Sequence, residues 1–198
     1  MFTGIIERLG KVTEIIQEGT NYHFTIESGI ESEVYIDQSI AHNGVCLTVV
    51  SIDDNSYVVT AIKETMNKTN LGETAIGDYI NIERAAISGS TRLDGHMVQG
   101  HVDGTTKCIN VKDVDGSWYY TFQLDRNSAP LVVNKGSICI NGVSLTVVDP
   151  TKDQFQVAII PYTYEHTSFK SLKEGDTVNL EYDIIGKYVQ RYMDNISS

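Results

Sequence analysis

The stretch SIAHNGVCLTVV, residues 39–50, decides the fold because the chain repeats it as SICINGVSLTVV at residues 137–148. Nine of the twelve letters are identical, at a separation of 98 residues. Further pairs match at or near this separation: IKETMNKTN with IPYTYEHTS, GDYINIE with GDTVNLE, and, two residues out of phase, MFTGI with MVQGH. A chain of 198 residues with one long internal repeat is predicted to hold two copies of one domain, each large enough for its own core.

The repeat also predicts the domain boundaries. The first copy is predicted over residues 1–87 and the second over residues 96–184. The connector, residues 88–95, contains the sequence SGSTRLDG, whose glycines and small polar residues are typical of a loop. Residues 185–198 then form a separate C-terminal segment.

The local pattern within each copy predicts β-structure. Short runs such as YVVTAI, QVAII and TVNLEYDI are rich in β-branched residues and are bounded by turn formers. Neither copy contains a long helical pattern. Several short strands in about 90 residues predict an all-β fold made of two small closed barrels.

The C-terminal segment has a different period. Ile185, Val189, Tyr192 and Ile196 follow one another at spacings of four, three and four, which places them on one face of a helix. A lone helix of this length is marginal in water unless that face is packed. The helix packs on its own barrel, or it pairs with copies of itself around a symmetry axis. The heptad-like spacing favours oligomerisation.

Composition excludes several classes of function. The formal charge of −11 and the pI near 4.8 argue against nucleic acid or an anionic membrane as a partner. No apolar run approaches the ~20 residues of a membrane span, and we expect no signal peptide in MFTGIIERLGKV. Three cysteines without a CxxC motif indicate neither a disulfide framework nor a zinc ribbon. These features favour a cytoplasmic protein with reduced thiols.

The repeated motif carries a small polar pair in each copy. Side chains alternate along a strand, so the apolar residues of VCLTV and VSLTV share one face. Cys46 and Thr48 share the opposite face in the first copy, and Ser144 and Thr146 do so in the second. These positions either face solvent or form two related ligand sites. Because both copies keep the threonine and the preceding Asn-Gly turn, we favour ligand sites.

Two histidines lie in GHMVQGHVDGT. His96 and His101 are five residues apart, which places them on opposite faces of a strand and argues against a shared metal ion. His101 is the candidate acid or base, since imidazole titrates near neutrality. The alternative is a histidine that only satisfies strand or turn hydrogen bonds. The chain has no P-loop, no GxGxxG and no GxSxG motif.

The order of the motifs is more specific than any one of them. MFTGII, NGVCLTV, KTNLG, GHMVQGHVDG, INGVSLTVV and GDTVNLEYDIIGKYVQR together closely resemble the riboflavin synthase family, from Met1 to about Tyr192. The resemblance implies two six-stranded Greek-key barrels and a C-terminal helix that holds a homotrimer. It implies four-carbon transfer between two molecules of 6,7-dimethyl-8-ribityllumazine, giving riboflavin and 5-amino-6-(D-ribitylamino)uracil. It implies no metal and no separate cofactor, and lumazine synthase as a partner protein.

The resemblance also implies which residues form the sites, with the N-terminal barrel of one subunit meeting the C-terminal barrel of another. The N-terminal pocket is expected to contain Gly4, Ile5, Ile6, Cys46, Leu47, Thr48, Ala61, Ile62, Lys63, Glu64 and Thr65. The C-terminal pocket is expected to contain Gly100, His101, Val102, Lys135, Ser144, Leu145, Thr146, Ile160, Pro161, Tyr162 and Thr163. The expected catalytic residues are Ser144, Cys46, His101 and Thr146, acting in nucleophile activation, proton transfer or ligand binding.

Two other functions fit the same fold. One is a lumazine protein, which binds its ligand without turnover; the other is the flavin-binding barrel of an oxidoreductase. Both copies of the motif are intact, which favours the enzyme, and no βαβ nucleotide-binding pattern follows the barrels. A reaction between two identical molecules in different roles would explain both the duplication and the change from Cys46 to Ser144.

Overall fold

The structure, a computed structural model, describes residues 1–90 and 92–197. The first half contains strands β1 (Arg8–Glu18), β2 (Asn21–Glu27), β3 (Ser39–His42), β4 (Val45–Asp53), β5 (Ser56–Ile62) and β6 (Tyr79–Arg84), with helix α1 (Lys63–Lys68) before β6. The second half contains β7 (Gly104–Asp113), β8 (Trp118–Gln123), β9 (Ser137–Ile140), β10 (Val143–Val148), β11 (Gln154–Ile159), α2 (Pro161–His166), β12 (Thr177–Tyr182) and α3 (Ile184–Ser197).

Each half closes into an antiparallel barrel of six strands. The order around the first barrel is β1-β2-β5-β4-β3-β6, and β7-β8-β11-β10-β9-β12 repeats that order in the second. The chain passes from β2 to β3 without pairing them, so that β5 lies beside β2 in a Greek-key arrangement. The predicted all-β fold of two tandem six-stranded barrels with a C-terminal helix is confirmed.

The strand alternation predicted for the repeated motif is also confirmed. In β4, Val45, Leu47 and Val49 are buried in the first core, whereas Cys46 is half-buried and Thr48 is exposed. In β10, Val143 and Val147 are buried and Leu145 is half-buried against the second core, with Ser144 half-buried on the outer face. Each barrel has its own apolar core, so the outer face of the motif is available for contacts between the barrels.

The two Asn-Gly turns meet back to back between the barrels. Asn43 and Gly44 both have positive φ (46° and 80°), as do Asn141 and Gly142 (47° and 81°), which is the conformation of a tight type I′ hairpin turn. A Cβ on Gly44 would lie 2.7 Å from the backbone nitrogen of Gly142, and one on Gly142 would lie 2.8 Å from that of Gly44. The reciprocal contacts define a local two-fold axis that relates the barrels.

Four buried asparagines surround this axis. The Asn81 side-chain amide donates to the carbonyl of Asn141 across the axis at 2.8 Å, and Asn179 donates to the carbonyl of Asn43 at the same distance. Within each barrel, Asn43 Oδ1 accepts from the Asn81 backbone N–H and Asn141 Oδ1 accepts from that of Asn179. These bonds satisfy polar groups that are costly to bury unpaired, and they fix the barrels relative to each other.

The barrels differ at one buried polar pair. His42 Nδ1 donates to the Ile40 carbonyl at 3.1 Å, so His42 Nε2 accepts from the Tyr57 hydroxyl at 3.0 Å. Both side chains are essentially inaccessible to solvent, and their counterparts in the second barrel are the apolar Ile140 and Phe155. Burial lowers the pKa of His42 to about 4, because the charged imidazolium would lose its hydration.

The C-terminal helix α3 shows the predicted apolar stripe. The side chains of Ile185, Val189, Tyr192 and Ile196 are exposed, and the helix contacts its own barrel mainly at the turn Ala129–Leu131. The stripe is therefore largely uncovered in the single chain. Among the described residues, none of the helices is long and apolar enough to cross a membrane.

The His42–Tyr57 pair predicts a pH-dependent stability. Because the folded-state pKa of His42 lies below the ordinary 6.5, its contribution is fully present above about pH 6.5 and is lost as the pH falls towards 4. The expected loss is at most about 3 kcal/mol. Urea unfolding across this pH range should show this slope in the native chain. The double variant His42→Ile/Tyr57→Phe, which copies the second barrel, should lose that part of the slope; an identical slope in both proteins would contradict the prediction.

The contact between the turns predicts an unusual sensitivity to a single methyl group. Gly142→Ala would place its Cβ against the backbone of Gly44, whereas Gly89, with a similar φ of 81°, has no atom within 4 Å of the corresponding position. We expect Gly142→Ala to lower the free energy of unfolding by about 2 kcal/mol or more beyond Gly89→Ala, which isolates the steric cost from the backbone cost. Equal losses in chemical denaturation would contradict the close contact.

Candidate functional site: two sites formed by crossing segments

The segments that precede β1 and β7 cross to the opposite barrel. Phe2 and Val98 form an isolated antiparallel bridge, with N–H to O distances of 2.7 and 3.1 Å. Beyond the bridge, Ile6 packs on the core of the second barrel and Val102 packs on the core of the first. Each barrel is thus completed by a segment from the other half of the sequence.

Two buried carboxylates hold the crossing segments. Glu83 accepts from the backbone N–H of Thr3 at 2.6 Å and of Gly4 at 3.0 Å. Glu181 accepts from the N–H groups of Gln99, Gly100 and His101 at 2.7 to 3.0 Å. Burial raises the pKa of both carboxyl groups, and the bonds from the backbone amides oppose this shift.

Each crossing segment lies directly against the small polar residue of the repeated motif. The Gly4 carbonyl accepts from the Ser144 N–H at 2.8 Å, and the Gly100 carbonyl accepts from the Cys46 N–H at 2.9 Å. Both glycines have positive φ, and a Cβ on either would lie within 2.6 Å of the Cβ of the opposing residue. Only glycine permits so close an approach at these two positions.

This arrangement corrects the expected pocket assignment. Residues 4–6 were expected in the N-terminal pocket, but the structure places them against Ser144 on the second barrel. Residues 100–102 were expected in the C-terminal pocket, but they lie against Cys46 on the first barrel. The expectation followed sequence order, whereas the hydrogen bonds from Ser144 to Gly4 and from Cys46 to Gly100 join opposite halves of the chain.

A cleft of about 400 Å³ lies beside Cys46. It is lined by Val45, Cys46, Ile62, Glu64, Thr65, Lys68, Thr69, Gly100, His101, Val102 and Asp103. Helix α1, which frames one side, starts directly after the exposed Ile62 at the end of β5. The cleft therefore combines an apolar surface with a carboxylate, an imidazole and a thiol.

Several expected residues of the N-terminal pocket lie elsewhere. Leu47 and Ala61 are buried in the first core, and Lys63 is exposed at the start of α1. Thr48 is exposed on β4 and is not among the described residues that line the cleft. The structure thus brings together Cys46, Ile62, Glu64, Thr65 and residues 100–102.

The corresponding position on the second barrel holds a serine–histidine pair. Ser144 Oγ lies 2.6 Å from Nδ1 of His96, which is largely buried. Burial lowers the pKa of His96, and the nearby charge of Asp183 opposes that shift. A neutral imidazole at this distance can accept the hydroxyl proton of Ser144 and return it.

His96 is the residue that sequence reasoning missed. The spacing argument treated residues 96–101 as one strand and selected His101, but only the bridge at Val98 is regular in this segment. His101 instead lies exposed at the Cys46 cleft, with its backbone N–H on Glu181. The adjacent Gly95 was the available signal, since a Cβ at this position would lie 2.9 Å from Ser144 Oγ and even closer to the Thr3 carbonyl oxygen.

Helix α2 frames the second site as α1 frames the first. It begins at Pro161, directly after the exposed Ile160. The exposed Tyr162 stands where α1 has Glu64, and its ring stacks on His166 at 4.2 Å. Lateral support for α2 comes from Tyr164, which stacks on Trp118 at 3.7 Å.

The remaining expected residues of the second site are dispersed. Leu145 is half-buried against the second core, and Thr146 is exposed on β10. Thr163 lies in α2, where its backbone carbonyl accepts from the Thr167 hydroxyl at 2.7 Å. Lys135 lies in the turn before β9, where its backbone N–H donates to the Val147 carbonyl at 2.9 Å.

Comparison with known proteins agrees with this two-site architecture. The family model described as the lumazine binding domain matches residues 3–85 and 99–183, one copy on each barrel. The riboflavin synthase of Actinobacillus pleuropneumoniae is 40% identical over 194 residues, covering 98% of this chain and 90% of that protein. The riboflavin synthase of Mycobacterium tuberculosis is 41% identical over 200 residues, covering 98% of both.

The chain belongs to the riboflavin synthase family. Solved structures of LumP share the fold of this riboflavin synthase family member. LumP complexed with riboflavin superposes with a TM-score of 0.85 at 22% identity, covering 92% of this chain and 99% of that chain. LumP complexed with 6,7-dimethyl-8-(1′-D-ribityl) lumazine gives a TM-score of 0.82 at 23% identity, covering 91% and 98%.

Proposed function

We propose that this chain is an enzyme that moves a four-carbon unit between two molecules of 6,7-dimethyl-8-ribityllumazine. The products are riboflavin and 5-amino-6-(D-ribitylamino)uracil. The observation that carries the proposal is a pair of related but chemically different sites, one with Cys46 and one with Ser144 and His96, on a chain similar over almost its whole length to riboflavin synthases. Two identical reactants in two roles require such a pair.

Binding would use the features that the two sites share. We assign the heterocycle to the apolar surfaces of Ile62 and Ile160, which are more than half exposed at the start of α1 and α2. The ribityl hydroxyls would bond to polar groups of the first cleft such as Glu64 and His101. A neutral substrate without phosphate is compatible with a chain of net charge −11.

Catalysis would combine orientation with proton transfer. Holding two reactants in one geometry makes a bimolecular step effectively unimolecular. The methyl group on carbon 7 of one lumazine must lose a proton, and the second molecule must be activated towards addition. His96 and Ser144 are assigned to proton transfer and nucleophile activation at the second site, with Cys46 and His101 facing the partner ligand at the first.

A homotrimer would bring the Cys46 cleft of one copy to the Ser144 site of the next. The support is the apolar stripe of α3, which the single chain leaves exposed at Ile185, Val189, Tyr192 and Ile196. Free thiols at all three cysteines fit a cytoplasmic location. Lumazine synthase is proposed as a partner on the family resemblance.

A ligand-binding protein without turnover is the second candidate function, because LumP has the same fold. The serine–histidine pair and the retention of both motifs favour the enzyme. Incubating the purified chain with the lumazine separates the two. New riboflavin fluorescence would support the enzyme, and stable lumazine binding without any flavin would refute it.

The serine–histidine pair predicts a specific kinetic defect. His96→Asn keeps a polar group near Ser144 but cannot titrate, and Ser144→Ala removes the hydroxyl. Each is expected to lower kcat by about 100-fold or more, with little change in ligand affinity. Because burial lowers the pKa of His96, native activity should persist below the ordinary imidazole value of about 6.5 and fall only at a lower pH, where a proton occupies His96. His23→Asn, a half-buried histidine on β2, is the control; unchanged turnover in both site variants would remove the pair from the mechanism.

The exposed stripe of α3 predicts the oligomeric state. The native chain should scatter light as a trimer of about 66 kDa, three times 22.0 kDa. Truncation after Ile184 removes the stripe and should give a smaller species. A truncated chain that remains trimeric would show that other surfaces hold the assembly.

A further inference from the structure

The far end of each crossing segment is held by an acidic residue. Glu7 and Asp103 occupy equivalent places, with their backbone N–H groups donating to the carbonyls of Ile82 and Leu180 at 2.9 Å. The Glu7 carboxylate accepts from the Arg84 backbone N–H at 3.0 Å. The Asp103 carboxylate accepts from the Tyr182 backbone N–H at 2.9 Å. Each segment is thus tied at both ends.

The cation that neutralises each acid comes from a different place. Arg84 Nε lies 2.7 Å from Glu7, and Arg84 belongs to β6 of the first barrel. Lys187 Nζ lies 2.6 Å from Asp103, and Lys187 belongs to the first turn of α3. The Ser144 side is therefore completed by a barrel strand, whereas the Cys46 side depends on a helix outside both barrels.

Asp103 is close to the proposed ligand. It lines the Cys46 cleft together with residues 100–102, and the Gly100 carbonyl bonds to the Cys46 N–H. Both Asp103 and Lys187 are about one third exposed or less, at 31% and 26%. Loss of the ammonium would leave a partly desolvated carboxylate that keeps the hydrogen bond from the Tyr182 backbone amide, which favours rearrangement of the segment.

We propose that Lys187 is a positioning residue for the Cys46 cleft: through Asp103 it fixes the wall formed by residues 100–103. Its role as a determinant of riboflavin or lumazine binding rests on the proposed function; the control of wall geometry does not. The same helix, α3, also carries the exposed apolar stripe. Association of copies through that stripe and the geometry of the Cys46 cleft therefore both depend on α3. The Ser144 site does not depend on α3, since Glu7 is bound by Arg84 of β6.

The thiol of Cys46 provides a local probe. Cys46 is half-buried at the cleft, whereas Cys108 and Cys139 are fully buried. The experiment measures the rate at which iodoacetamide alkylates Cys46 in the full chain, by mass spectrometry, with and without riboflavin. The variants are Lys187→Met, the charge-conserving Lys187→Arg, and Arg191→Met as a control on the exposed side of the same helix.

Lys187→Met is expected to raise the alkylation rate without ligand by several-fold. It should also raise the riboflavin concentration that half-protects Cys46 by about tenfold, equivalent to about 1.4 kcal/mol. Lys187→Arg should stay close to the native chain, and so should Arg191→Met. Lys187→Gln repeats the test with a polar side chain should the methionine variant fold poorly, with thermal unfolding and light scattering measured on all variants.

Unchanged alkylation in both Lys187→Met and Lys187→Gln would overturn the inference. An equal increase in Arg191→Met would also overturn it, because the effect would then come from the helix in general. Failure of riboflavin to protect Cys46 in the native chain would count against the proposed function instead. The ligand-free alkylation rates would still decide the role of Lys187.

Discussion

Both sites depend on two buried carboxylates, each of which accepts hydrogen bonds from the backbone of the segment that leads from its own barrel to the opposite one. Glu83 holds the start of the chain, and Glu181 holds residues 99–101. A carboxylate is costly to bury, and the aligned amide donors offset much of that cost. These bonds fix the crossing segments at residues 3–4 and 99–101, next to the glycines that lie against Ser144 and Cys46.

The two halves have the same residues where the barrels meet and different residues at several equivalent positions elsewhere. The glycines and asparagines on the axis are the same in both halves: Gly44 contacts Gly142, and the two equivalent amide bonds cross the axis from Asn81 to Asn141 and from Asn179 to Asn43. At other equivalent positions the residues differ. Ile140 and Phe155 of the second half replace His42 and Tyr57, and Tyr162 replaces Glu64. The two-fold arrangement can therefore keep two sites in matched positions while their chemistry differs.

The sequence predicted what depends on local periodicity. The repeat predicted two barrels, the alternation in β4 and β10 identified the outer face that holds Cys46 and Ser144, and the spacing of four, three and four identified α3. The exchange of segments was not predictable in this way, since nothing near residue 4 or residue 100 in sequence indicates which barrel it will contact. The Ser144–His96 pair was missed for the same reason: a strand period was applied to a segment with a single bridge.

The close contact between the two Asn-Gly turns also limits where the chain can change its length. An extra residue at positions 43–44 or 141–142 would have to enter a space that does not accommodate even a methyl group. The β1–β2 turn at Gly19 has no atom within 4 Å of an added Cβ, so insertions there meet no such obstacle. Divergence of this duplicated chain is thus confined to substitution at its centre and is open to insertions and deletions at its periphery.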